Sequence, residues 1–136
     1  MADKVRIGII GCGGIANGKH MPSLKKLGNV EMVAFCDIVV ERAQKAKETY
    51  GTPDAAVYED YKELLKDESI DVCYVLTPNR SHADLTCDAL RAGKHVMCEK
   101  PMAKTAADAR EMVATAKRTG RTLSIGYQSR YRADSQ

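Results

Sequence analysis

Residues 11–16 read Gly11-Cys12-Gly13-Gly14-Ile15-Ala16 and directly follow an apolar run at 5–10. Small residues at the first, third and sixth positions of such a turn suit a polyphosphate. Gly11 permits the tight bend, Gly13 lets backbone approach a pyrophosphate, and Ala16 lets helix and strand pack closely. A helix opening at Gly14 and Ile15 would then aim its free N–H groups at the phosphates. Asp37 lies 21 residues past Ala16 (37 − 16), at the end of the next apolar run. A carboxylate at that distance accepts hydrogen bonds from both hydroxyls of an adenosine ribose and repels a 2′-phosphate. Ile38, apolar, follows it. Arg42, a helical turn further on, could meet a phosphate, stack on adenine, or be a solvated helix charge. Together these residues predict a nicotinamide dinucleotide, NAD in preference to NADP.

Two further groups end later apolar runs. Thr77-Pro78-Asn79-Arg80-Ser81-His82 follows the run at 71–76, and Glu99-Lys100-Pro101 follows the run at 94–98. In open α/β sheets ligands bind outside the carboxyl ends of strands, so both groups border the expected crevice. Thr77, Pro78 and Asn79 also read as a helix N-cap turn, and His82 alone also reads as a structural histidine. Lys100 places a cation where a nicotinamide and a hydroxyl or carbonyl substrate would meet, or is a surface lysine. Gln128, just after the last apolar run, completes the set of candidate cofactor residues. Lys100 is the candidate catalytic residue, and no metal site is expected.

The elements needed to position these residues alternate along the chain. Strand patterns fall at 5–10, 30–36, 55–58, 71–76, 94–98 and 122–127. A helix opens near Gly14, and Pro22 predicts a break near residues 19–21, with a second piece over 22–27. Val39, Val40, Ala43, Ala46 and Tyr50 fit one face of the next helix. Asp60-Tyr61-Lys62-Glu63 and Thr105–Asp108 open helices in capping-box fashion. The later helices carry Ala83, Leu85, Ala89 and Leu90, then Ala106, Ala109, Met112, Val113 and Ala116, inward. Strands alternating with helices imply parallel crossovers. The expected fold is a doubly wound, mostly parallel six-stranded Rossmann sheet, in the order 3-2-1-4-5-6.

Composition narrows the partners. The 21 basic and 18 acidic side chains leave a net charge of +3, too weak and well mixed to imply nucleic acid. No apolar run approaches the ~18 residues of a membrane span. Residues 1–4 lead straight into a strand pattern, without a signal peptide's regions. Five cysteines with no C-x-x-C pair argue against zinc and a disulfide framework. They read as buried small side chains in a reducing cytoplasm.

The stretches 7–16, Leu76-Thr77-Pro78-Asn79 with Ser81-His82, and 93–101, taken in this order, resemble the N-terminal domain of the glucose–fructose oxidoreductase, inositol dehydrogenase and rhizopine-catabolism (MocA) oxidoreductases. The resemblance covers essentially the whole chain. It implies that Glu99 and Lys100 reach the nicotinamide ribose and the substrate, and that Lys100-Pro101 is a cis peptide. It implies an NAD-dependent dehydrogenase acting on a sugar, polyol or related hydroxy compound. Such enzymes add a C-terminal α+β domain that supplies most of the substrate pocket, a catalytic histidine and aspartate, and commonly the oligomer interface. No histidine follows His95 here. Residues 1–128 therefore read as the dinucleotide domain, and 129–136 as a tail leading to an absent second domain. The isolated chain is expected to be inactive and prone to self-association as a homo-oligomer. The alternative is a non-catalytic, regulatory nucleotide-binding module of the same fold. A methyltransferase using S-adenosylmethionine would also employ Asp37, but leaves Glu99-Lys100-Pro101 unexplained.

Overall fold

Short β-branched runs separated by amphipathic segments favour strands covered by helices on both faces. The computed structural model describes residues 4–77, 82–99 and 105–126. Those residues form a six-stranded sheet in the order β3-β2-β1-β4-β5-β6. The strands are β1 (Val5–Ile10), β2 (Val30–Cys36), β3 (Ala56–Tyr58), β4 (Val72–Val75), β5 (His95–Glu99) and β6 (Leu123–Gly126). Every pairing is parallel. The predicted fold, strand order and strand positions agree with this, apart from small shifts at the ends. Residues 1–3, 78–81, 100–104 and 127–136 lie outside the described part. Pro78, Asn79, Lys100 and Gln128 are therefore not placed, nor is the Lys100-Pro101 peptide.

Alternation along the strands sends side chains into two apolar clusters, one per face. Ile7 and Ile9 of β1 and Phe35 of β2 meet Ala16, Met21, Leu24, Ala43 and Ala46. These last residues belong to the first helical segment, α1 (Met21–Lys25) and α2 (Val40–Tyr50). On the other face Ile10, Cys73, Val75, Val96 and Cys98 meet Leu64, Leu85, Leu90 and Met112. Those come from α3 (Tyr61–Leu64), α4 (His82–Arg91) and α5 (Ala106–Thr119). The predicted caps form: Asp60 accepts from the Lys62 N–H at 2.9 Å, and Thr105 accepts from the Asp108 N–H at 3.0 Å.

The first helix corrects one expectation. No break occurs near residues 19–21. The backbone is helical from Gly14 to Lys25, with a π-helical segment over Ala16–His20 leading into α1. The Met21 N–H reaches back five residues to the Ala16 carbonyl. Proline has no N–H and its ring crowds the carbonyl four residues before it. The wider π turn accommodates both defects just ahead of Pro22, so the helix widens instead of ending.

Four apolar positions were also assigned to the wrong side. Val39 and Val40 are exposed, because α2 begins only at Val40 and its first turn stands beyond the strand ends. Ala106 and Val113 are exposed, while Thr115 is buried in α5.

Candidate functional site: a cleft at the carboxyl ends of β1, β2 and β4

Strand order reverses between β1 and β4, and the glycine turn lies at that point. Gly11 has φ +97°, and a Cβ built there would stand 2.9 Å from the Leu76 carbonyl carbon. Its N–H donates to the Cys36 carbonyl at 2.8 Å, joining the turn to β2. Gly13 and Gly14 differ: a Cβ on either meets nothing within 4 Å. The space above them is open to a ligand. Ala16 is fully buried beneath the turn, as close helix–strand packing requires, while Ile15 is exposed. Asn17 clamps the turn, its Nδ2 donating to the carbonyls of Cys12 at 2.8 Å and Gly13 at 2.9 Å.

Asp37 sits just past β2 and is 8% exposed. Its Oδ2 accepts from the Cys12 N–H at 2.9 Å, and its Oδ1 from the Val39 N–H at 2.8 Å. A carboxylate offers about four acceptor positions, so these bonds orient the group and leave capacity for a ligand's hydroxyls. Asp37 thereby ties the glycine turn to the start of α2.

These parts enclose a cleft of about 690 Å³. It brings together Gly11, Gly13, Gly14, Ile15, Asp37, Ile38, Arg42 and Thr77 from the predicted set. It adds Glu59, Tyr61 and Leu85, which sequence reasoning missed. Arg42 also lines a hollow of about 350 Å³ on the helix side of the turn, with Asn17 and Lys45. Of the predicted residues that the structure describes, Ala16, His82 and Glu99 do not line the cleft. His82 is 1% exposed and its Nε2 lies 2.7 Å from the Thr77 carbonyl oxygen, just past the end of β4.

The environment of the cysteines here disfavours the reactive thiolate. Burial, followed by the charge of Asp37, pushes the Cys12 thiol up to about 12. Burial and then Asp37 raise Cys36 to about 12 as well. Tyr61 is pushed above its usual value by burial and by its hydrogen bond to Asp88, at 2.5 Å. All five cysteines are free and buried.

Glu99 ends β5 and is buried on the face covered by the first helix. Its Oε2 meets the Nε2 of His20, which lies at the end of the π segment. Both residues are 9% exposed. The edge of the Tyr74 ring closes over the imidazole, with centroids 5.9 Å apart and planes at 73°. Sequence reasoning missed His20. The available signal was a polar residue at an inward helical position, four after Ala16 and just before Pro22.

The glycine cradle and the acid beyond it fit a dinucleotide: open backbone at Gly13 and Gly14, and a carboxylate lining the same cleft. The family model GFO_IDH_MocA, an oxidoreductase family with an NAD-binding Rossmann fold, matches residues 5–127. The chain belongs to this family. Inositol 2-dehydrogenase of Salmonella typhimurium is 38% identical over 128 residues, which are 93% of this chain and 38% of that protein. KijD10, a 3-ketoreductase from Actinomadura kijaniata in complex with NADP, superposes with a TM-score of 0.90 at 30% identity, covering 97% of this chain and 41% of that one. The WlbA dehydrogenase from Chromobacterium violaceum, in complex with NADH and UDP-GlcNAcA, gives a TM-score of 0.90 at 32% identity, covering 100% and 39%. The chain thus spans roughly two fifths of the length of the relatives it matches. Within the GFO_IDH_MocA family it is an NAD(P)-binding Rossmann domain. Among the described residues, no helix is long and apolar enough to cross a membrane.

Proposed function

We propose that this domain binds NAD(H) in preference to NADP(H), and that the whole protein passes a hydride between the nicotinamide and a carbon of a sugar, polyol or related hydroxy compound. The observation that carries the cofactor reading is Asp37. It is fixed at the cleft by two backbone N–H groups and followed by Ile38, which is 84% exposed. Its negative charge opposes a 2′-phosphate and favours two free ribose hydroxyls.

The turn at Gly11–Ala16 would take the pyrophosphate, with the N–H groups at the helix start facing it. Ile38 and Arg42 would flank the adenosine. Thr77, Pro78 and Asn79 would border the middle of the cofactor, with the Thr77 carbonyl oxygen in contact with His82. Glu99, Lys100 and Gln128 would serve the nicotinamide end. A bound nicotinamide supplies the carbon that accepts or gives the hydride. Lys100 would orient the substrate and polarise its oxygen. The relatives' names, an inositol dehydrogenase and a 3-ketoreductase, support polyhydroxylated substrates. The free, buried cysteines support a cytoplasmic setting.

Calorimetric titration with both dinucleotides tests the cofactor reading. NAD(H) is expected to bind more tightly, and Asp37→Ala to weaken it by about 1–3 kcal/mol through loss of charge-assisted bonds. Equal or tighter NADP(H) binding would overturn the preference. Binding of neither dinucleotide would overturn the cofactor reading. Reduction of NAD by the full-length protein over a panel of polyols and sugars tests the activity. No turnover on any of them, with NAD bound, would favour a regulatory module.

A further inference from the structure

The described structure buries an imidazole against a carboxylate, in a place where the cofactor reading assigns work to only one of them. His20 lies on the helix whose first turn faces the phosphates. Glu99 ends a strand on the far side of β4. Three features bring them together. The π segment ahead of Pro22 carries an extra residue in its turn, and Ala16, His20, Met21 and Leu24 all come to lie buried against the sheet. Tyr74 pairs with Met97 across β4 and β5, and side chains alternate along each strand. Tyr74 and Glu99 therefore share the face that His20 covers. The His20 Nε2–H then donates to Glu99 Oε2. A carboxylate buried to this degree is stable only with such a donor.

We propose that His20 is a positioning residue for the nicotinamide half of the cofactor. It fixes the Glu99 carboxylate, and through it the end of β5, relative to the helix that receives the phosphates. This rests on the reading that places Glu99 at the nicotinamide ribose. The role differs from general packing, because a ring of similar size without a donor would fill the same space beside Tyr74 yet remove the bond that holds Glu99 Oε2 to the first helix. Metal-ligand supports of this indirect kind change affinity by about ten- to a hundredfold when removed. The lower end is expected here, since only one contact of the dinucleotide is affected.

The experiment measures affinities for NAD and for ADP, which lacks the nicotinamide riboside, with the wild-type chain, His20→Phe, His20→Gln and Glu99→Gln. His20→Phe is expected to weaken NAD by about tenfold and leave ADP unchanged. His20→Gln, which restores a donor, is expected to recover most of the loss. The double variant His20→Phe/Glu99→Gln should bind NAD no worse than Glu99→Gln alone. Equal losses for NAD and ADP in His20→Phe would overturn the proposal in favour of a purely structural role. An unchanged NAD affinity would overturn it outright. If His20→Phe does not fold, Glu99→Gln carries the test, and an NAD affinity equal to wild type there also overturns it. A wild-type chain that binds neither ligand would refute the underlying cofactor reading, a distinguishable result.

Discussion

Gly11 and Gly13 stand two residues apart in one turn, yet their replacement should fail in opposite ways. At Gly11 the backbone has φ +97°, and an added Cβ lies 2.9 Å from the Leu76 carbonyl carbon and 3.0 Å from both its oxygen and Thr77 Cγ2. The neighbours are mostly backbone and cannot rotate away. Gly11→Ala therefore incurs about 1–3 kcal/mol for the left-handed conformation and about 1–3 kcal/mol for overpacking. Their sum, roughly 2–6 kcal/mol, is a large part of a typical domain's 5–15 kcal/mol. With a urea m-value of about 2 kcal/mol/M, the unfolding midpoint should fall by roughly 1–3 M. At Gly13 a Cβ meets nothing within 4 Å, so Gly13→Val should change stability by no more than about 0.5 kcal/mol. It should nevertheless abolish NAD binding, because the side chain fills the space above the turn. Urea melts followed by circular dichroism, paired with calorimetric NAD titrations, measure both properties. Gly11→Ala with wild-type stability would refute the packing argument. Gly13→Val that binds NAD normally would show that the dinucleotide lies elsewhere.

Two further outcomes concern stability. Burial is the chief cause that raises the thiols of Cys12, Cys36 and Cys73 from 9.0 to about 12, and that of Cys98 to about 11. In this range the folded chain holds thiol protons that the unfolded chain releases, so the stabilisation is complete below 9.0 and is lost as pH rises towards 11–12. Melts at increasing alkaline pH should show this loss, and Cys73→Ala should show less of it; equal pH dependence would contradict the assignment. Thr105→Ala, which removes the bond to the Asp108 N–H, should cost about 0.5–2 kcal/mol. Thr105→Ser should recover most of it in the same melts, and identical stability of all three chains would show the cap to be idle.

The sheet was legible because its signals are local. Runs such as 5–10 and 30–36 are nearly all apolar, which marks strands covered on both sides, and alternation with helices leaves few topologies. The turn and Asp37 were legible as candidates because a ribose and a pyrophosphate would demand such residue types at such a spacing. What escaped was long-range or marginal. His20 and Glu99 meet across 79 residues, and neither residue's neighbours in sequence announce the other. Glu59, Tyr61 and Leu85 reach the cleft from separate elements. Val113 matched the helical period but faces a hollow beside Leu123 and Ile125 instead of α4. Periodicity marks a face without saying where the sheet beneath it ends. Pro22 was read as a break because its two defects are usually met by ending a helix, and the π turn is the less common answer.

The order of the strands also divides the molecule. From β1 to β3 the chain is laid down on one side of the cleft, and from β4 to β6 on the other. The two halves join where β1 pairs with β4, and the cleft follows that seam, taking its glycines from one half and Thr77 and Leu85 from the other. A dinucleotide lying there would act as a rivet across the seam. Cut at the exposed turn around Glu68, the halves become two polypeptides with matching strand edges, and the free cofactor concentration would set how much of the pair is assembled.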